Sequence, residues 1–306
     1  MKKKTFEEIA RLWREDKKNY VKKSTLASYS LILSHYLLPH FGEKYSISEK
    51  MVQKWVLEQL DAGMSRKTIK DILVVFRMVL HFGAKYNYMK EHRIDIHFPT
   101  EKVKPEVEVL SRSQQRVLMS YLYQNMDFRN LGVCICLSTG LRIGEICALK
   151  WNDIDLDNGI ICVNKTIQRI YMVEEQRRYT ELLIDTPKSK NSKRQIPLTR
   201  DLQQILLSLK QNASEGNYIL SNSPVPYEPR TYRRYYKSLL HNLGLPEIKF
   251  HGLRHSFATR CIEADCDYKT VSVLLGHSNI STTLNLYVHP NLEQKQKCID
   301  MMFNSL

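Results

Sequence analysis

The chain has 306 residues, of which 43% are hydrophobic, and it carries a formal net charge of +14. The length suggests two domains, and the composition allows a hydrophobic core of ordinary size. No apolar run approaches the roughly 20 residues that are needed to span a bilayer. The charge favours a polyanionic partner such as nucleic acid, because each neutralised phosphate releases condensed counterions; a basic protein without that partner is the alternative on charge alone.

Residues 1–97 are predicted to form a small bundle of four helices, because apolar residues recur at helical spacing. Thr5 with Glu8 forms a capping box for the first helix, and Ser24 or Thr25 opens the second. The third runs from about Ser48, and Ser65 caps the fourth. The second helix is expected to end before Pro39 and Gly42. This bundle is the first predicted domain.

Residues 98–110 contain two prolines and no helical pattern, so we interpret them as a linker between domains. Residues 111–306 form the second predicted domain. It is helical at first, changes to three short strands at 160–163, 182–185 and 194–198, and then returns to helices. The predicted fold class is mainly α with a small antiparallel β-sheet.

Seven cysteines are present, an odd number, and no Cys-x-x-Cys pair occurs among them. This pattern argues against a disulfide framework and against a zinc site. The first four residues, Met-Lys-Lys-Lys, resemble the start of a signal peptide, but charged residues follow where an apolar region is needed. We therefore expect a cytoplasmic protein without contact to a membrane.

Six polar side chains in the second domain suit an attack on a phosphodiester without a metal ion. They are Arg142, a lysine within residues 186–190, His251, Arg254, His277 and Tyr287. The guanidinium groups stay charged and donate paired hydrogen bonds to phosphate oxygens. His251 and Arg254 share one face of a helix start, where an imidazole is suited to accept the proton of an attacking hydroxyl.

His277 follows Gly276, which is expected to end a helix and to place the ring where it can donate to a phosphate oxygen. Tyr287 is the predicted nucleophile; its ordinary pKa of about 10 means that it needs a base and a polarised phosphate. The competing interpretation of Arg142 is an ordinary ion pair with Glu145. His255 and His289 are expected to be ordinary core or surface histidines.

In type and order, these six residues and the sequences around them resemble the active site of the tyrosine recombinases, the phage-integrase family. Those sequences are Thr-Gly-Leu-Arg-Ile-Gly-Glu at 139–145, His-Gly-Leu-Arg-His at 251–255, Leu-Gly-His-Ser at 275–278 and Leu-Tyr at 286–287. Residues 24–29 and 38–42 resemble the family's helical, SAM-like core-binding domain.

The resemblance implies a two-domain clamp on double-stranded DNA with specific recombination sites, which cuts and rejoins strands through a covalent 3′-phosphotyrosine. That intermediate preserves the bond energy, so no ATP, metal or other cofactor is expected. The resemblance also places a lysine in a hairpin turn as proton donor to the leaving 5′ hydroxyl. Lys188 matches best, while Lys190 and Lys193 lie close.

Integration and excision of a mobile element is the favoured role, and a DNA invertase or a Xer-like resolvase is the alternative. A type IB topoisomerase uses similar groups, and a regulator with inactive chemistry would keep the same scaffold. All six positions hold suitable residues, which weighs against the regulator.

Two surfaces outside the six residues are expected to bind partners. Basic and aromatic residues interleave at 230–237, and Arg230, Arg233 and Arg234 are expected either to contact DNA or to form a solvated helix face. Near the C-terminus an apolar stripe recurs at helical spacing, formed by Ile299, Met302, Phe303 and Leu306. The resemblance implies that this helix docks on a neighbouring protomer in a tetramer; packing on its own domain is the alternative.

Overall fold

The computed structural model describes residues 3–90, 94–100, 108–174, 177–186, 193–287 and 292–304. The described residues divide into two units. The first takes those within Met1–Lys104 and Arg169–Leu183, and the second takes those within Pro105–Gln168 and Ile184–Leu306. The stretch Arg169–Leu183 belongs to the first unit. The sequence predicted instead that residues 111–306 form one continuous second domain.

The helices of the first unit are α1 Phe6–Lys18, α2 Lys23–Ile32, α3 Leu38–Phe41, α4 Glu49–Asp61 and α5 Arg66–Lys85. Thr5 and Glu8 form the predicted capping box at the start of α1, and Ser48 and Ser65 cap α4 and α5. The predicted start of the second helix at Ser24 or Thr25 is wrong, because Lys22 is the N-cap residue and both positions lie inside α2. The apolar faces of α1, α4 and α5 meet in one core, whose largest side chains include Trp13.

The predicted end of the second helix before Pro39 is wrong. A π-helical turn, Leu33–Leu37, connects α2 directly to α3, so the helical backbone continues past Pro39 to Phe41. Pro39 lies in the first turn of α3, where its missing N–H and its fixed φ angle are compatible with a helix.

In the second unit, the helices are α6 Arg112–Gln124, α7 Phe128–Thr139, α8 Ile143–Ala148, α9 Arg200–Lys210, α10 Pro229–Asn242, α11 Phe250–Glu263, α12 Tyr268–Leu275, α13 Ile280–Tyr287 and α14 Leu292–Phe303. The apolar helix α7 packs against α8, α9 and α11, and its residues from Asn130 to Leu137 are all buried. Helix α11 also contacts α12 and α13. Helices α8 and α11 therefore pack on the buried α7, while α13, which carries Tyr287, and α12, which precedes His277, pack on α11.

The strands form two small sheets. The three-stranded sheet has the order β1 Ile154–Asp155, β2 Ile160–Val163 and β5 Arg194–Pro197, with antiparallel pairing throughout. The second sheet pairs β3 Thr166–Glu174 with β4 Arg177–Asp185. The predicted strands at 160–163 and 194–198 are confirmed, the one at 182–185 is the end of the longer β4, and β1 and β3 were not predicted.

Together these elements confirm the predicted fold class, which is mainly α with small antiparallel sheets. Among the described residues, no helix is both long and apolar enough to cross a membrane.

Gly140 ends α7 in the left-handed backbone conformation, with φ at +66°. A Cβ at this position would lie 2.5 Å from a ring carbon of Phe257 and 2.8 Å from a methyl of Leu275. Glycine therefore allows both the turn into α8 and the close approach of α11 and α12.

Gly140→Ala is expected to lower the free energy of unfolding by about 2–4 kcal/mol, because backbone strain and overpacking add. Gly244→Ala is the matched control, since Gly244 has φ at +63° and nothing within 4 Å of an added Cβ; strain alone should lower its stability by about 1 kcal/mol. Urea unfolding at neutral pH compares the two, and equal losses would contradict the packing argument.

Candidate active site

Arg142 is held by the start of helix α8. Its backbone N–H donates to Glu145 Oε2 at 2.9 Å and its Nη1 donates to Glu145 Oε1 at 2.9 Å. Nη2 also lies 3.4 Å from the carbonyl oxygen of Gly276. The ion pair that competed with the catalytic interpretation is therefore present, and it fixes a side chain that remains 36% exposed.

Arg194, at the start of β5, reaches the same carboxylate from the other side. Its Nη1 and Nη2 donate to Oε1 and Oε2 of Glu145 at 3.2 and 3.0 Å, and its Nε donates to the carbonyl of Leu274 at 2.6 Å. Burial alone would raise the pKa of Glu145, but Arg194 and Arg142 outweigh burial and leave the pKa lowered. Glu145 is therefore ionised between two arginines.

Arg254 is buried in helix α11, with 1% of its surface exposed. Nη1 donates to the carbonyl of Gly140 and Nη2 to that of Leu275, both at 2.7 Å. Burial, followed by the charge of Arg142, lowers the pKa of Arg254 to about 9, so the group stays charged at neutral pH. Arg254 thus joins the end of α7 to the end of α12 while keeping its charge in the site.

An open cleft of about 710 Å³ runs past these residues, and its lining includes Arg142, His251, Arg254 and Arg233. His251 is exposed at the cleft surface. Partial desolvation, and then the charges of His255, Arg254 and Arg142, lower the pKa of His251. The imidazole is consequently neutral at pH 7 before an anion enters.

His277 follows the left-handed Gly276 that ends α12, as predicted. Its Nδ1 lies 2.8 Å from Oγ1 of Thr283, a fully buried residue of α13. Burial, then Arg254 and Arg142, lower the pKa of His277 to about 4. The Thr283 contact fixes the ring, so that its Nε2 is left to face an anion.

Tyr287, the last residue of α13, packs with 9% exposure among Ala258, Val271 and Leu275. Its hydroxyl oxygen lies 2.5 Å from Nδ1 of His255. His255, which was expected to be an ordinary histidine, therefore contacts the predicted nucleophile. Arg194 and Thr283 were not predicted either. The one available signal for His255 was its position four residues after His251, on the same helix face.

The remaining predicted residues divide between described and undescribed parts of the chain. Lys188, Lys190 and His289 lie outside the described residues. Lys193 is exposed just before β5. On α10, Arg230, Arg233 and Arg234 are exposed and Arg233 lines the cleft. Among the described residues, no group of three or more His, Cys, Asp or Glu side chains is arranged to hold a metal ion.

The arrangement concentrates positive charge next to a phenol and neutral imidazoles. Arg142, Arg194 and Arg254 surround one carboxylate, which leaves an excess of positive charge at the cleft. Such a site stabilises an anion without reorganisation. The charges of Arg254 and Arg142 both act on the Tyr287 phenol and favour its ionised form. Its chemistry suits nucleophilic transfer at a phosphate group.

Two family models match the chain. Residues 108–294 match the Phage integrase family, and residues 5–58 match the Phage integrase, N-terminal SAM-like domain. Together they cover parts of both units.

Curated relatives agree with this assignment. A tyrosine recombinase XerC-like protein of Caldanaerobacter subterraneus is 28% identical, over 93% of this chain and 75% of its own. The ICEBs1 integrase of Bacillus subtilis is 23% identical, over 96% of this chain and 88% of its own. The transposase from transposon Tn916 of Enterococcus faecalis is 23% identical, over 81% of this chain and 64% of its own.

Solved structures share the fold. The Tn1549 transposon integrase in complex with a circular intermediate DNA has a TM-score of 0.76 at 22% identity, covering 96% of this chain and 99% of that one. A lambda integrase dimer bound to a COC′ core site has a TM-score of 0.66 at 17% identity, covering 94% of this chain and 78% of that one.

Arg194→Ala is expected to lower the free energy of unfolding by about 3–5 kcal/mol, because it leaves the buried Glu145 with one partner fewer. The pKa of Glu145 is lowered in the folded protein, so the stability it supplies is present above its ordinary pKa of 4.5 and is lost as the pH falls through the lowered value. The difference between wild type and variant should shrink below pH 4.5.

Arg112→Ala is the control, because Arg112 forms an ion pair with Glu263 at 2.8 Å with its side chain 64% exposed. Its loss should change stability by less than about 1 kcal/mol. Urea unfolding from pH 3 to 7 makes the comparison, and equal effects of the two substitutions would contradict a structural role for Arg194.

Proposed function

This chain belongs to the phage integrase family of tyrosine recombinases, which cut and rejoin DNA, and we propose that it acts at specific sites to integrate and excise a mobile element. The observation that carries the proposal is the cleft in which Arg142, His251 and Arg254 meet, with His277 and Tyr287 beside them. Five of the six residues that the sequence selected are thereby gathered in one place.

In the proposed reaction, the hydroxyl oxygen of Tyr287 attacks a DNA phosphorus. A bond forms between that oxygen and phosphorus, the bond to the 5′ oxygen breaks, and a 3′-phosphotyrosine results. Arg142 and Arg254 stabilise the charge on the non-bridging oxygens, and His277 donates to one of them. The phenolic proton moves to an imidazole of α11, the role for which the sequence selected His251. The leaving 5′ oxygen takes a proton from a lysine, for which Lys188 is the proposed donor. Rejoining reverses these steps.

The exposed basic face of α10 is the proposed contact to the DNA backbone. Arg233 lies both on this face and in the cleft lining, which places a phosphate-binding side chain next to the catalytic charges. Arg230 and Arg234 extend the face, while Tyr232 and Tyr236 anchor the helix in the core. The aromatic residues between the arginines are thus structural, and the arginines face solvent.

We propose a tetramer on two DNA sites, assembled through α14. Ile299 is 50% exposed and Phe303 is 66% exposed, although their spacing forms an apolar stripe. A short helix with an exposed apolar stripe is stabilised by covering that stripe. The exposure supports docking on a neighbouring protomer over packing on its own domain.

Tyr287→Phe is expected to keep specific DNA binding and to form no covalent adduct, because only the phenolic oxygen is lost. A nicked suicide duplex traps the adduct of the wild-type protein, which is then detected by denaturing electrophoresis. Wild-type adduct should also form in excess EDTA, since arginine charge replaces a divalent ion. An adduct of normal yield from Tyr287→Phe would contradict the assignment of the nucleophile.

Ile299→Ser with Phe303→Ser is expected to leave single-site binding and thermal stability nearly unchanged, and to abolish pairing of two sites. Val225→Ser is the control, because Val225 is 70% exposed outside this helix and should change neither property. Gel shift and sedimentation measure binding and assembly. Loss of single-site binding in the double variant would show that α14 packs in cis.

The name of the Caldanaerobacter relative favours a second role, resolution of DNA multimers as in Xer systems. The names of the Bacillus and Enterococcus relatives favour mobile elements. Covalent adducts trapped on genomic DNA and sequenced distinguish the roles. Adducts at the two ends of one element are expected, whereas a single chromosomal site would indicate resolution.

A further inference from the structure

His255 holds the reacting atom of the proposed nucleophile. Its Nδ1 lies 2.5 Å from the hydroxyl oxygen of Tyr287, and the two ring centroids are 5.5 Å apart. The phenol ring is fixed on its other sides by Ala258, Val271 and Leu275. The contact joins α11 to α13, so it reflects the packing of two helices.

We propose that His255 accepts the proton of Tyr287 during DNA cleavage and returns it during rejoining. This inference rests on the proposed function, and it gives the role of base to His255 instead of His251. In cleavage, the Tyr287 oxygen forms its bond to phosphorus while its proton moves to Nδ1 of His255. The 5′ oxygen leaves with a proton from the lysine donor. In rejoining, the 5′ hydroxyl attacks phosphorus and gives its proton to the lysine, the bond between phosphorus and the Tyr287 oxygen breaks, and the proton on Nδ1 returns to the phenol.

The protonation states suit this transfer. Burial, and then the charge of Arg254, lower the pKa of His255 below its ordinary 6.5, so the imidazole is neutral and able to accept. Burial raises the pKa of Tyr287, and Arg254 and Arg142 partly oppose it. A phenol that remains protonated at neutral pH needs an acceptor within hydrogen-bond distance, and His255 provides one.

The groups around His255 come from each element that contacts it. His251 and Arg254 lie on its own helix, Tyr287 comes from α13, and Arg142 acts on His251 and Tyr287 from the start of α8. The residues of α12 that contact Tyr287 are apolar. Both influences on the pKa of His255, burial and the charge of Arg254, lower it.

The two histidines of α11 occupy different positions in the site. Their rings meet edge to face with centroids 4.5 Å apart. His251 lines the cleft, where a phosphate would lie, while His255 is half-buried against the phenol. His251 is thus suited to contact the substrate and His255 to contact the nucleophile.

The test is single-turnover adduct formation on a nicked suicide duplex by the full chain. His255→Ala should slow cleavage at pH 7 by about 100-fold, within the usual range for loss of a general base. His255→Asn keeps a hydrogen-bond acceptor near the position of Nδ1 but is not a base, so it should be slow while Tyr287 stays in place. His97→Asn, at an exposed histidine outside every element to which a role is assigned, should cleave normally.

The pH profile separates proton transfer from positioning. Wild-type cleavage should rise through the pKa of His255 and level off below neutral pH. Both His255 variants should lack this rise and accelerate toward the pKa of the phenol instead. A substrate with sulfur in place of the leaving 5′ oxygen needs no proton donor, so it should restore a lysine variant but neither His255 variant.

Several results would overturn the inference. His255→Asn with the wild-type rate and pH profile would show that His255 is dispensable, and a faster His255→Ala would show that the contact restrains Tyr287. DNA binding and thermal unfolding are measured in parallel, and if the alanine variant does not fold, the asparagine variant decides. Failure of the wild type itself to form an adduct would instead refute the proposed function.

Discussion

The site depends on the buried carboxylate of Glu145. A carboxylate with 2% exposure is strongly unfavourable unless charged donors surround it. Arg142 binds it from the helix that it begins, and Arg194 binds it from β5. Because Arg194 also donates to the carbonyl of Leu274, one acidic group fixes the positions of α8, β5 and α12 relative to each other. Of these elements, α8 lines the cleft, together with the start of β3 and parts of α10 and α11.

The same arrangement leaves positive charge uncompensated. One carboxylate faces three arginines, and Arg254 is buried with only backbone carbonyls as described partners of its Nη atoms. The lowered pKa values of His251 and His277 follow from this excess together with burial. The negative charge of a bound phosphate would oppose the positive charge of the arginines and raise the pKa values of both histidines. Substrate binding and histidine protonation therefore favour each other. The free site is thus poised for an anion.

The sequence predicted those features whose signals are local. The caps at Thr5 and Ser65, the helix end at Gly276 and the strands beginning at 160 and 194 were found because each is encoded within a few neighbours. The passage of a helix beyond Pro39 was missed because a π-helical turn precedes it. The contribution of Arg194 was missed because its partner Glu145 lies 49 positions earlier, and no periodic pattern connects the two.

The site itself shows the same division. Arg142, His251, Arg254, His277 and Tyr287 were selected by residue type and by their resemblance to known motifs, and the fold brings them together. His255 was set aside because a histidine in a chain with ten of them is usually unremarkable in function. Its partner Tyr287 lies 32 positions later on another helix. Only the packing of α13 against α11 reveals that contact.

The position of Tyr287 at the end of a short helix has a consequence for control. Helix α13 has eight residues, and α14 begins at Leu292, five positions after Tyr287. The phenol is therefore placed by one apolar cluster and one hydrogen bond, not by a long rigid helix. A force on α14, such as docking on another protomer, acts on α13 through this short connection. Because a shift of about 1 Å is enough to impair an in-line attack, docking of α14 in the proposed tetramer would decide which protomers cut.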